Sequence, residues 1–371
     1  MQWTYDYARR RDKLRRRLAS SGADAILITH RPNIRYLTGF RGDDSVLVVT
    51  RDDAVLISDE RFRQEIEESC PDVTAEIRGP GITGSEWVAR VIASMRLPRI
   101  AVEGDHVPVS VFAQWQASVE RSQWRPVSGW VEALREIKDR TEIAAIRRSI
   151  AIAEKAYQAV AAVMTPEDTE QQVAWELERQ IRHFGGEGCS FPPIVAVGAR
   201  AALPHAVPGP RTIGERPFLL IDWGATFDEY CSDLTRMMVA GRIPPKLARI
   251  YEVVLQAQLA AIDRIKPGVM LEDVDQAARR VIEDAGQAKH FTHALGHGIG
   301  LEIHEAPRVA AGQSRPLRPG MVITVEPGIY LRGWGGVRIE DDVLVTRTGH
   351  EVLTSLPKSL EASRRIDIPH R

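Results

Sequence analysis

Over residues 1–130, short apolar runs alternate with stretches of helical spacing. The runs at 25–29 (AILIT), 46–50 (VLVVT), 55–58 (VLIS) and 100–103 (IAVE) are rich in β-branched residues and bounded by turn formers, and predict strands. Helices are predicted between them at 6–20, 60–69 and 86–95. The pattern is that of a small α/β domain. No acids or histidines in it fall at metal-ligand spacing, so it is expected to shape a site or an interface rather than to perform chemistry.

Beyond a boundary near 128–138 the pattern changes. Asp139 followed three residues later by Glu142 is a helix-start signature. Ile143, Ile146, Ile150, Ala153, Tyr157, Val160 and Met164 follow at helical spacing until Thr165-Pro166. Further helices are predicted at 169–184, stopped by Gly185-Gly186, at 245–265, and at 273–285 before Gly286. The segments between and after them read as strands paired in antiparallel hairpins. Residues 131–371 are therefore expected to form an α+β domain.

Composition adds mainly exclusions. Hydrophobic residues make up 44% and charged residues 27%, enough for a substantial core, and the formal net charge is -1. That balance gives no reason to expect a nucleic acid or membrane partner. The run Arg9, Arg10, Arg11, Arg15, Arg16, Arg17 is broken by Asp12 and fits a solvated helix face. No segment approaches the ~20 apolar residues of a membrane span. Three cysteines, Cys70, Cys189 and Cys231, in no paired spacing suit a reducing compartment, with the cytoplasm as the default.

The chemistry lies in the hairpins. Residues 218–224 (FLLIDWG) and 231–239 (CSDLTRMMV) predict one hairpin, and a turn centred between Phe227 and Asp228 sets Asp222 opposite Asp233. Residues 321–330 and 337–345 predict another, and a turn centred on Gly333 sets Glu326 opposite Glu340. Carboxylates so close in apolar strands require a cation or a shared proton. Between the hairpins, His290, His293, His297 and His304 fall within fifteen residues, amid glycines that let backbone approach a ligand. Carboxylates with an imidazole suit hard or borderline divalent ions such as manganese, cobalt, zinc or iron. Bridging carboxylates can hold two such ions ~3.5–4 Å apart, an arrangement that favours hydrolysis over redox chemistry.

These residues resemble the motifs of the creatinase/aminopeptidase P/prolidase metallopeptidases: Asp222 and Asp233, His297 in LGHGIGLEIHE, Glu326 in VEPGIY and Glu340 in VRIED. The resemblance spans 139–357 and extends weakly to NIRYLTGF at 33–40. It implies a pita-bread catalytic domain over 131–371, a creatinase-like N-terminal domain over 1–130, and a homodimer. It also implies a peptide substrate with proline in second position and two divalent ions, manganese foremost, then cobalt or zinc. Within it Asp222, Asp233, His297, Glu326 and Glu340 are the expected metal ligands, Asp233 and Glu340 bridging, with Glu326 also the proton carrier. His205, His293 and His304 match positions that contact substrate and stabilise the oxyanion. Arg338 and Tyr330 look like supports of that shell. Methionine aminopeptidases share the ligands but normally lack the N-terminal domain. The same scaffold can also serve a creatinase-like C–N hydrolase or an inactive binding protein, and the complete ligand set disfavours both. Arg308 matches an arginine that grips a dipeptide's free carboxylate in similar prolidases, which tilts the reading toward Xaa-Pro dipeptides over longer peptides.

Overall fold

The computed structural model describes residues 5–365, so the ends of the two expected domains, 1–4 and 366–371, lie outside the described residues. The chain divides into two compact units, Met1–Arg135 and Glu136–Arg371.

The first unit is built on one six-stranded sheet. Its strands are β1 (Ala25–Ile28), β2 (Val46–Thr50), β3 (Ala54–Asp59), β4 (Thr74–Arg78), β5 (Arg99–Glu103) and β6 (Gln123–Val127). Its helices are α1 (Tyr7–Ser21), α2 (Arg31–Thr38), α3 (Arg63–Ser69), α4 (Gly84–Met95), α5 (Val109–Ser118) and α6 (Glu132–Arg135). The order across the sheet is β4-β3-β2-β1-β5-β6, and β2 alone runs antiparallel to its neighbours. Ala25, Leu27, Val48, Ile57, Ile100 and Val102 of the sheet pack with Val88, Ile92 and Trp115 of α4 and α5.

The basic run lies on α1, but two of its arginines depart from the solvated face. Arg10 and Arg11 are buried; Arg10 donates to the carbonyl of Tyr36 and lies over its ring, and Arg11 donates to the carbonyl of Leu37 and pairs with Asp72. Their guanidinium groups satisfy the last carbonyls of α2, which α1 covers.

The second unit opens with α7 (Arg140–Val163) and α8 (Glu170–His183). Asp139 caps α7 through the reciprocal bonds its spacing predicts, Glu142 N–H to Asp139 Oδ1 and Asp139 N–H to Glu142 Oε2, both 3.0 Å. Next come β7 (Gly188–Cys189), β8 (Ile194–Val197), β9 (Phe218–Trp223), β10 (Ala225–Phe227), β11 (Tyr230–Cys231) and β12 (Leu234–Ala240). A helix pair, α9 (Pro245–Arg264) and α10 (Leu271–Asp284), separates these from β13 (Gly296–Gly298), β14 (Glu305–Val309), β15 (Val322–Val325), β16 (Gly328–Leu331), β17 (Gly335–Arg338), β18 (Asp341–Val345), β19 (His350–Val352) and β20 (Arg364–Arg365). The two main sheets have the orders β20-β12-β9-β8 and β14-β13-β15-β18-β19.

Period-two alternation in β9 decides where its acid points. Leu219, Ile221 and Trp223 face a core shared with α7 and α8, whereas Phe218 and Leu220 face the core shared with α9 and α10. Asp222 belongs to the second face. In β12, Met237 and Val239 share that face, and so does Thr235.

Candidate metal centre

The first hairpin turns one position later than its spacing predicts. Asp228 and Glu229 form a two-residue turn, both at positive φ (50° and 63°), and Phe227 pairs with Tyr230. The ladder then sets Asp222 opposite Thr235, not opposite Asp233. Asp233 stands two residues before Thr235, so it still rises on the face of Asp222, diagonal to it. Gly224 makes the close crossing possible: a Cβ there would lie 1.8 Å from the carbonyl oxygen of Ser232.

The second hairpin keeps the predicted centre. Gly328 pairs with Arg338 and Leu331 with Gly335, and beyond a gap Val325 pairs with Asp341, all symmetric about Gly333. Glu326 and Glu340 fall opposite each other in that gap. β13 enters between β14 and β15, with a hypothetical Gly296 Cβ only 2.0 Å from the Thr324 carbonyl. His297 is held there by Thr324 Oγ1, which accepts its backbone N–H at 3.1 Å. His297 Nε2 lies 3.6 Å from Asp233 Oδ2 and 3.4 Å from Glu326 Oε1. Ligand atoms of Asp233, His297 and Glu340 all sit within 4.8 Å of one another.

These groups line a cavity of about 710 Å³, together with Asp222, His205, His293, His304, Arg308 and Arg338. Of the side chains the sequence singles out, His290, in a short 3₁₀ turn at Ala288–His290, does not line the cavity, and Tyr330 stands behind its wall. It accepts from Arg338 Nη1 at 2.8 Å and bonds His293 Nε2 at 2.9 Å. The other ring nitrogen of His293 is 2.7 Å from the carbonyl of Ala294, so Nδ1 carries the hydrogen and Nε2 accepts from Tyr330. Arg338 also binds Asp222 Oδ2 and donates from Nε to Thr235 Oγ1 at 3.0 Å. Arg308 is paired in register with His297 across β13 and β14, which puts both on one face. The apolar side of the cavity comes from Phe191, Pro192, Pro193, Ile194, Val207 and Ile303.

Three supports escape a motif-based reading: Thr235, Thr324 and Asp342. Thr235 donates to Glu340 Oε2 at 2.6 Å, Thr324 to Glu326 Oε1 at 3.2 Å, and Asp342 Oδ2 accepts the Asp233 N–H at 3.1 Å. Each lies two residues from an acid of the cluster, on the same strand face. That spacing is the signal that could have found them.

Burial drives the electrostatics. It raises Asp222, which the Arg338 charge partly offsets, and it pushes Glu326 up to about 8. Asp233 and Glu340 are raised well above the ordinary carboxylate range by burial and then by the neighbouring acids. Burial lowers His293 and His297 to about 4, so both rings are neutral at neutral pH, and it lowers His304 as well. His297 Nδ1 is 3.0 Å from the Gly298 carbonyl, which leaves the Nε2 lone pair aimed among carboxylate oxygens. Asp222 Oδ1 is buried and has no hydrogen-bond partner among the described residues. An imidazole lone pair and an orphaned carboxylate oxygen facing one space fit a divalent cation.

Comparison with known proteins agrees. Residues 144–347 match Metallopeptidase family M24, and residues 10–137 match the Creatinase/Prolidase N-terminal domain. The chain belongs to metallopeptidase family M24. A relative in Bacillus subtilis, the uncharacterized peptidase YqhT, is 36% identical over 349 residues, 94% of this chain and 98% of that protein. A solved Xaa-Pro dipeptidase from Bacillus anthracis superposes with a TM-score of 0.91 at 36% identity, covering 96% of this chain and 99% of that one. A prolidase from Pyrococcus horikoshii gives 0.88 at 33% identity over 95% and 99% of the two chains. An X-Pro aminopeptidase from Thermotoga maritima gives 0.85 at 34% identity over 91% and 97%. The second unit is thus the pita-bread domain of an M24 metallopeptidase, an enzyme class that uses divalent metal ions.

Proposed function

We propose that this M24 metallopeptidase hydrolyses Xaa-Pro dipeptides with two metal ions held by Asp222, Asp233, His297, Glu326 and Glu340. The observation that carries the reading is the meeting of these five side chains in one cavity that Arg308 also lines. Asp233 and Glu340, whose carboxylate oxygens lie within 4.8 Å of each other and of the His297 ring nitrogen, would form the heart of that ligand set. Divalent ions there supply Lewis acidity toward a carbonyl and make water nucleophilic near neutral pH.

The chain's own residues do the rest. Glu326, whose Oε1 faces the cavity beside His297, can accept the proton of the attacking water and deliver it to the departing proline nitrogen. His205 and His304 line the cavity wall and can donate to the carbonyl oxygen as charge builds on it. His293 must release Tyr330 to do the same; as arranged, it holds the Tyr330–Arg338 pair that steadies Asp222. The Arg308 guanidinium can take the free carboxylate of a dipeptide in a two-point grip.

The X-Pro aminopeptidase likeness keeps a second reading, release of Xaa from longer peptides. Metal-loaded enzyme offered Xaa-Pro, Xaa-Pro-Yaa and creatine separates them. The expected outcome is rapid cleavage of Xaa-Pro, and Arg308→Ala lowers kcat/KM on the dipeptide by about 10- to 100-fold while sparing the tripeptide. Preferential cleavage of Xaa-Pro-Yaa by the parent overturns the dipeptidase reading, and loss of creatine alone overturns both. Manganese as the metal, a homodimer as the assembly and the cytoplasm as the compartment belong to the same proposal. Its three cysteines are free thiols, which suits a reducing compartment.

A further inference from the structure

The first unit contains a cluster that its sequence spacing does not reveal. His30 follows β1, His106 follows β5, and Glu132 opens α6 after β6. β1, β5 and β6 are parallel neighbours, with Leu27 level with Val102 and Glu103 level with Val127. All three connections therefore leave the carboxyl edge of the sheet. The winding also reverses there: from β1 the chain runs outward through β2, β3 and β4, then returns to β5 and continues to β6 on the other side. In open α/β sheets a crevice forms at such a reversal, outside the carboxyl ends of the strands, and ligands bind in it. His30 and His106 flank this reversal.

The donors have matching type and spacing. Ligand atoms of His30, His106 and Glu132 lie within 4.8 Å of one another. His106 Nε2 is 3.3 Å from Glu132 Oε1; two ligands of a tetrahedral zinc at ~2.0–2.1 Å are themselves ~3.3 Å apart. The rings of His30 and His106 stack face to face at 3.7 Å with an interplanar angle of 4°. One ring must turn to converge on an ion, and the exposed His106, on the loop before α5, has room to do so.

The layer behind the cluster is built and buried. Asn33 Nδ2 donates to Glu132 Oε1 and to Glu103 Oε1, each at 2.6 Å, and Asn33 Oδ1 accepts from Arg135 at 2.8 Å. Glu103 Oε2 accepts the backbone N–H groups of Thr29 and His30 at 2.8 and 2.9 Å. Asn33, Glu103 and Arg135 are all buried. One network thus fixes the backbone of His30 and the carboxylate of Glu132, the orienting role that outer groups play around metal ligands.

We propose that His30, His106 and Glu132 form a second metal site, separate from the catalytic cluster, for a borderline divalent ion of the zinc type. Two imidazoles and a carboxylate leave a fourth position open to water or another ligand. The test is metal content at equilibrium dialysis against micromolar zinc, read by mass spectrometry. The parent protein is expected to hold one equivalent more than His106→Ala and one more than Glu132→Gln, with peptide hydrolysis unchanged in both. The same difference is expected in an Asp233→Ala/Glu340→Ala background, where loss of catalytic ions cannot contribute. Cobalt substitution in that background should give a tetrahedral visible spectrum that His106→Ala removes. Equal zinc content and an unchanged cobalt spectrum in folded His106→Ala, verified by circular dichroism, overturn the site and leave a stacked histidine pair.

Discussion

Thr235 shows how much one hydroxyl can carry in the candidate metal centre. It is fully buried, donates to Glu340 Oε2 at 2.6 Å and accepts from Arg338 Nε at 3.0 Å. It thereby links a proposed metal-ligating carboxylate to the guanidinium that holds Asp222. Valine has nearly the same shape but neither donates nor accepts. Thr235→Val is expected to free the Glu340 carboxylate to turn and to leave Arg338 Nε unsatisfied. Metal affinity should fall about 10- to 100-fold, the usual consequence of losing an outer hydrogen bond to a ligand. Competition with a chelator measures this directly, and Thr235→Ser should restore most of it. If Thr235→Val binds metal as tightly as the parent, Glu340 is oriented by something else.

At the scale of elements, the loop carrying His205 depends on α8. Glu170, at the start of α8 and fully buried, accepts from the backbone of Val197 at 2.9 Å, from Gly209 at 2.8 Å and from Arg200 Nε at 2.9 Å. Arg200 in turn donates to the Val207 carbonyl. Both ends of the segment bearing His205 are thus pinned to one carboxylate. Glu170→Gln removes the charge and sets an amide N–H₂ against donors, so the fold should lose on the order of 2–4 kcal/mol. If the pinning places His205, kcat/KM falls in protein that is still folded, well below the melting temperature. A lowered melting temperature with unchanged kcat/KM would make Glu170 purely structural. This support was not legible from spacing, because Glu170 reads as an ordinary acid in the first turn of a helix. Other elements divide the same way. The second hairpin was readable because Gly333 marks its centre, whereas the first turns on Asp228 and Glu229 with no glycine to mark it, and its centre lies one position later than the spacing predicts. The acids were legible through their motifs, and Thr235, Thr324 and Asp342 were hidden only by lack of a motif. His30, His106 and Glu132 were out of reach, since only the strand order brings such distant positions to one edge. Arg10 and Arg11 misled because charge runs usually stay solvated, and here α2 offered carbonyls to bury them against.

For the molecule as a whole, the buried carboxylates of the candidate metal centre link stability to pH and to metal in a direction that can be derived. Glu326 sits near 8 when folded, against an ordinary value of 4.5, and Asp222, Asp233 and Glu340 are displaced the same way by burial. Below about pH 6.5 the lowered His293, His297 and His304 oppose this, but between about pH 6.5 and 8 they are neutral in both states and the folded protein without metal holds more protons than the unfolded chain. Unfolding releases them, so stability must fall as pH rises through that window, by an amount on the order of a few kcal/mol. With metal bound, the carboxylates are ionised in both states and this slope disappears, while binding itself adds stability that grows with free metal. At the acid end the sign reverses: Arg61 and then Arg78 hold Asp59 well below its ordinary range, a stabilisation present at neutral pH and lost on acidification. Thermal melts of chelator-treated and metal-loaded protein from pH 6.5 to 8 should thus diverge, the treated protein losing stability with rising pH and the loaded protein holding a plateau. Parallel curves across that range would mean that the buried acids are already ionised without metal, and that protons do not share the cluster with the ions proposed to occupy it.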